Sequence, residues 1–239
     1  MRSHVLLSLV IILFIAACVT PQQQTSPVPS PSPSAPSEAQ PVQTKEPIAP
    51  IAAPIVELPE KLTTLLAKRS GITSMKYSYK SGTNSVRVLV RGTNMKIMLV
   101  SPMKTSDGTF VSSIYLDTNQ RTAIGVCDDP VPCKNYPNAK SPVSFDAFVQ
   151  KTPTDWANEL EQKKYVPLTQ APNDVNVEDR TTYIFTYDDN AGTQTRFFID
   201  AFFGVPIQIQ TITGESTTGT LYSGIGFNTV KASDVAVPN

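Results

Sequence analysis

Side chains able to do chemistry are few in this chain, and their spacing restricts what they can do. There is one histidine, His4, and there are three cysteines, Cys18, Cys127 and Cys133. His4 falls in a stretch with the features of a removable leader, so the mature chain would carry no imidazole, the commonest general base and metal ligand. Without one, a Ser/His/Asp triad cannot be assembled. Asp128 and Asp129 are adjacent in a turn-rich loop, and nothing near them in sequence marks either for acid–base work. Asp188, Asn190 and Gly192 partly match a calcium loop, but Ile199 stands where the closing glutamate should be, and a hairpin turn accounts for them better. Gly224-Ile225-Gly226 lacks the strand-then-helix context of a phosphate loop. The expectation is a non-enzyme with no metal and no cofactor. Cys127 and Cys133 bracket Asp128-Asp129-Pro130-Val131-Pro132, a loop that can bring their Cα atoms within bridging distance. In an oxidising compartment that pair reads as a disulfide. A metal pair is the alternative, but no third or fourth ligand is close by.

Cys18 belongs to a different pattern. Arg2 and His4 precede an apolar run from Val5 to Ile15, broken only by Ser8, and Ala16-Ala17 come directly before the cysteine. A basic start, a short apolar stretch and small residues at a cleavage point describe a secretory signal. The run is too short to span a bilayer core, which takes about 20 residues. Ala16-Ala17-Cys18 resembles the lipobox of prokaryotic lipoproteins. That resemblance implies cleavage before Cys18, lipid on Cys18, and an extracytoplasmic protein held at the membrane by that lipid. A plain signal peptide with an incidental cysteine is the alternative.

These patterns divide the chain into a signal over 1–17, a spacer over 18–57 and a domain over 58–239. In the spacer, Pro27, Pro29, Pro31, Pro33 and Pro36 alternate with serines, and no aromatic residue occurs. Such a segment buries too little apolar surface to offset its ordering entropy, so it is expected to stay unfolded. In polyproline II it would reach on the order of 100 Å, enough for a stalk. The domain has about 180 residues, one domain's worth. Lys+Arg 20 against Asp+Glu 20 leaves no net charge and no basic stripe, which argues against nucleic acid as a partner.

The elements that must position any site read as follows. Leu58-Pro59-Glu60-Lys61 opens a short helix that Gly71 stops. Alternation then predicts strands from Met75, Val86, Met95, Phe110 and Arg121 onward, with Ser106-Asp107-Gly108 as a hairpin turn. Ser144–Gln150 reads as a turn of helix. Thr152-Pro153-Thr154-Asp155 starts a longer one that carries Trp156, Leu160 and Lys164 on one face. Further strands are expected over 180–187, 193–200, 205–213 and 218–223, with a last one near Phe227–Lys231. About ten strands in tight-turned succession curl on themselves. The fold class is therefore mainly β (α+β): a strongly curved antiparallel sheet, a half-open β-barrel, with one or two helices over its concave face.

The order of these elements, the segment Asp200-Ala201-Phe202-Phe203-Gly204-Val205-Pro206 and the ending Asn228-Thr229-Val230-Lys231-Ala232-Ser233-Asp234-Val235 together resemble the LolA/LolB-like superfamily of lipoprotein carriers and lipid-binding lipoproteins. The resemblance covers Leu58 to Asn239 and implies a concave face that holds a lipid or the acyl chain of a lipoprotein. Two departures, the lipid anchor and the stalk together with the Cys127–Cys133 loop, favour an anchored acceptor or a surface lipid-binding protein over a shuttle, and fit equally a scaffold that has lost transport. The expected ligand-binding residues are the alternating apolar positions Val88, Val90, Ile97, Leu99, Ile114, Tyr183, Phe185, Phe197, Ile199, Ile207 and Ile209. The same residues would equally form a filled core. Trp156 is either a gate or a packing anchor. The expected partners are thus a hydrophobic ligand and the membrane; a stalked module that binds an envelope protein is the alternative.

Overall fold

The structure is a computed structural model and describes residues 57–239 except 82, 83, 130, 132 and 136. The expected signal over 1–17, the Cys18 lipidation site and all but the last residue of the expected spacer lie outside the described residues.

Among the described residues eleven strands form one antiparallel sheet: β1 (Ser74–Ser81), β2 (Asn84–Arg91), β3 (Asn94–Lys104), β4 (Phe110–Asp117), β5 (Thr122–Val126), β6 (Lys140–Pro142), β7 (Leu168–Val177), β8 (Arg180–Asp188), β9 (Thr193–Asp200), β10 (Pro206–Thr213) and β11 (Ser216–Phe227). Their order is β6-β5-β4-β3-β2-β1-β11-β10-β9-β8-β7, so two meanders meet where β1 pairs with β11. The edges, β6 and β7, do not pair, and the barrel stays open. Register breaks in the β1–β11, β3–β4, β7–β8 and β9–β10 pairs mark bulges, which bend strands and increase their twist.

Because β6 and β7 are opposite edges, the chain between them must cross the sheet. It does so through α2 (Phe145–Phe148) and α3 (Pro153–Glu161). A third helix, α1 (Glu60–Ala67), buries Leu62, Leu65 and Leu66 in the same core. The alternating residues of the strands line up in rows across the sheet. Tyr77, Val88, Ile97 and Ile114 are consecutive partners in one row, and Phe185, Phe197 and Ile209 in another. All of them are buried.

Three elements differ from the expectation. β7 carries no alternating pattern, and Pro172 stands inside it; it is an edge strand, where a missing backbone donor does no harm. β6 is too short to leave a signature. The last strand expected near Phe227–Lys231 does not form: β11 ends at Phe227, and α4 (Ala232–Val235) follows. Asn228 turns the chain with φ +58, accepts at Oδ1 from Thr73 N at 2.8 Å, and donates from Nδ2 to Gly71 O at 2.9 Å. An asparagine that bonds the backbone on both sides is a stronger local instruction than the apolar pattern around it.

The segment Asp200–Pro206 works as a corner. Asp200 Oδ1 accepts from Phe202 N at 2.9 Å and Phe203 N at 2.6 Å, while Oδ2 takes Arg180 Nη1 at 2.9 Å. Gly204, at φ +68, runs against the α1 backbone so closely that a Cβ would lie 1.8 Å from Leu65 O. The corner therefore fixes α1 on the sheet.

Candidate functional site

α3 begins with a full capping box. Thr152 Oγ1 accepts from Asp155 N at 3.1 Å, and Asp155 Oδ2 accepts from Thr152 N at 2.8 Å. Pro153 occupies the first turn, where it has no hydrogen bond to lose. Trp156 lies against Phe197, 6.1 Å between ring centres, and its Nε1 donates to Tyr222 Oη at 3.0 Å. Tyr222 in turn donates to Lys151 O at 2.7 Å. Lys151 Nζ sits 3.9 Å from the Trp156 ring centre and bonds Glu159 Oε2 at 2.7 Å. Trp156 is thus a packing and hydrogen-bonding anchor for α3. Burial and the neighbouring Glu159 push the Tyr165 hydroxyl up to about 12, so it stays a neutral donor beside the same helix.

Ahead of α3, the covering chain is extended rather than helical, and beneath it lies a cavity of about 430 Å³. Its floor is Met75, Val90 and Met95 from β1, β2 and β3. Ile72, Phe145 and Val149 add apolar wall, and Thr73, Gln150, Thr152, Thr154 and Asp155 supply polar groups. The volume falls within the range of small-molecule sites, about 300–1,000 Å³, and the lining is mixed, with an apolar patch on the sheet side and polar residues over most of the rest. Arg121 stands at this end of the sheet, paired with Asp146 and 5.0 Å from the Phe145 ring centre.

Two polar atoms of this lining are shut off from solvent without any hydrogen-bond partner: Gln150 Oε1 and Thr154 Oγ1. The Tyr77 hydroxyl, two residues along β1 from Met75, is in the same state. Burial, with Tyr222, Asp155 and Tyr79 adding to it, holds the Tyr77 phenol well above its ordinary pKa, so it remains protonated. Most buried polar groups in proteins are paired, so three orphans around one helix junction mark it out.

Of the eleven apolar positions expected from sequence, Val90 lines this cavity, and Ile209 lines a more open groove of about 630 Å³ with Trp156 and Thr211. The remaining nine line neither. Val88, Ile97, Ile114, Phe185, Phe197, Ile199 and Ile207 lie fully inside the core, and Leu99 and Tyr183 pack partly buried against it. Met75 and Met95 were visible as strand alternation; no pattern singled out Gln150 or Thr154, which sit in an extended link.

The other concentration of charge is on the opposite face. The Lys96 ammonium bonds Asp128 Oδ2 at 2.7 Å, Tyr115 Oη donates to the same oxygen at 2.7 Å, and Ser112 and Ser113 donate to Oδ1. Asp128 follows Cys127, which forms a disulfide with Cys133 across a Cα–Cα distance of 5.4 Å. All of its carboxylate contacts are internal, so the cluster ties the disulfide loop to β3 and β4. Asp189, in the stretch that partly matched a calcium loop, accepts from Ala191 N and Thr193 N as a hairpin turn does. Among the described residues no group of three or more His, Cys, Asp or Glu is placed to hold a metal ion, and no helix is long and apolar enough to cross a membrane.

No protein-family model and no curated protein matches the chain. Solved structures similar to it include MucB, at 10% identity and TM-score 0.39, covering 74% of this chain and 62% of that one. Another is Pseudomonas aeruginosa MucB in complex with MucA, at 9% identity and TM-score 0.39, covering 73% of this chain and 58% of that one. This chain thus spans less than two thirds of the MucB chains. A LolA superfamily protein from Nitrosomonas europaea is similar at 9% identity and TM-score 0.26, over 73% of this chain and 97% of that one.

Proposed function

We propose that the domain binds an acyl chain or a similar slender apolar ligand, and that it does so in the cavity beneath the α2–α3 link rather than along the middle of the sheet. The observation that carries this reading is the cavity itself: about 430 Å³ at the edge of the filled core, with Met75, Val90 and Met95 in its lining. Each methylene moved from water onto that floor contributes about 0.8 kcal/mol. Methionines suit such a floor because their unbranched side chains adapt to ligands of different shape. In the same proposal the chain is secreted, lipidated at Cys18 and held to a membrane by the 18–57 tether, with the domain as an anchored acceptor.

The test is native mass spectrometry of the chain from Val19 onward, exported behind a cleavable non-lipoprotein signal. A co-purifying mass in the lipid range, lost on organic extraction, is expected. A ligand-free mass together with no uptake of dansyl-undecanoate overturns the reading.

Two observations favour a second reading, a protein-binding module. Nine of the eleven expected pocket residues line neither cavity, and Phe202, at 75% exposure, stands out on the corner after β9. Crosslinking of the anchored protein in its own membrane would then capture a protein neighbour through that corner.

A further inference from the structure

The proposed cavity also carries information about what the apolar chain is attached to. Along the extended link, Thr152 has spent its hydroxyl and its backbone N–H on Asp155. Lys151 is turned toward Glu159 and Trp156. Gln150 and Thr154, which flank them and both line the cavity, are left with a buried oxygen each and nothing to bond. A side-chain amide and a hydroxyl both accept and donate, and rotation of either side chain toward the cavity presents its free atom to an occupant. Charge in the lining narrows the choice. Asp155 places a carboxylate in the same wall, and the cation at the rim, Arg121, is engaged by Asp146 and is mostly in solvent. An anionic headgroup would meet like charge without a free counter-ion, whereas a neutral hydrogen-bonding group meets two unpaired partners.

We propose that Gln150 and Thr154 bind the neutral polar junction of an acylated ligand, the ester and hydroxyl groups of an acylglycerol, while Met75, Val90 and Met95 take its chain. This rests on the acyl-binding reading above. It predicts a preference: acylglycerol over the free fatty-acid anion, and over bare hydrocarbon of the same length. One neutral hydrogen bond corresponds to roughly fivefold in affinity, so two give an order of magnitude or somewhat more.

The experiment displaces dansyl-undecanoate from the chain starting at Val19 with lauroylglycerol, laurate and dodecane. Wild type is expected to favour lauroylglycerol over dodecane by about 25-fold, for the two bonds just counted. Thr154→Val and Gln150→Leu should each erase about fivefold of that preference, leave displacement by dodecane unchanged, and keep or raise the melting temperature, because each removes an orphaned polar atom. Thr154→Ser, which keeps the hydroxyl, should retain the preference and guards against a variant that merely misfolds. Equal displacement by all three ligands, a preference for laurate, or variants that discriminate as wild type does would overturn the inference while leaving acyl binding intact. If neither dansyl-undecanoate nor lauroylglycerol binds wild type, the second read directly by native mass spectrometry, both readings fall.

Discussion

Asp128→Asn is expected to destabilise the domain in a way that fades with acid. Burial opposes the charge on Asp128, but hydrogen bonds from Lys96, Tyr115, Ser113 and Ser112 outweigh it and hold the carboxyl at about 2, against an ordinary 3.8. Both members of the ion pair are only 15% exposed, so solvent screens little of this. A depressed carboxyl contributes stability that is present above its unfolded pKa and is lost as pH falls through the folded one. The difference of roughly two pH units corresponds to about 2 kcal/mol at neutral pH. For a domain of this size that is about 4–8 °C in melting temperature. Asparagine keeps an acceptor for Ser112 and Ser113 but loses the charge that Lys96 needs. The assay is thermal unfolding of wild type and variant by circular dichroism from neutral pH down to about pH 2, read as the gap between them. The gap should be near 6 °C at neutral pH and should close between about pH 4 and pH 2, where wild type protonates. Other acids titrate in both proteins and cancel in the difference. A gap that stays constant down to pH 2 would refute the reasoning and mean that packing, not charge, holds the cluster.

Further outcomes follow from the same geometry. Gly204→Ala puts a methyl 1.8 Å from Leu65 O at a backbone φ of +68, so α1 must leave the sheet; loss of about 3 kcal/mol or more, seen as a collapsed denaturation midpoint, is expected. Replacing Cys127 and Cys133 together by serine opens a short loop and should cost about 2 kcal/mol by chemical denaturation, with binding of dansyl-undecanoate unchanged because the loop is on the far face. Val90→Phe should fill the cavity from its floor, weaken that probe at least tenfold, and cost about 1–3 kcal/mol of stability by overpacking.

How far the sequence could be read depended on whether a feature is local. The strands with one wet face, such as Val86-Arg87-Val88, announce themselves by alternation, and Ser106-Asp107-Gly108 makes the β3–β4 turn with Gly108 at φ +89. The capping box at Thr152 and Asp155 and the disulfide were likewise written in neighbouring residues. β7 was not, because an edge strand whose residues are mostly exposed has no apolar face to advertise. The cavity was least legible of all. Apolar alternation places Val88 and Val90 on one face alike, yet what covers each row decides whether it is core or floor, and that depends on a crossing from β6 to β7 that no local pattern encodes.

The same crossing explains why a space exists where it does. A helix laid on a sheet presents a broad face, and α3 fills the concavity over β9–β11 with Trp156, Ala157 and Leu160. An extended link is narrower, and from Val149 to Thr152 it carries mostly polar side chains that reach for α3 rather than for the sheet. The rows below it end in Met75, Val90 and Met95, which pack in the core and also edge the cavity. The capacity of the site is set by that geometry. Moving α3 and the link away from the sheet would break the hydrogen bonds that Tyr222 of β11 makes with Trp156 and Lys151. These contacts lie at the junction of link and helix, so the groups that shape the cavity also limit how far it can open.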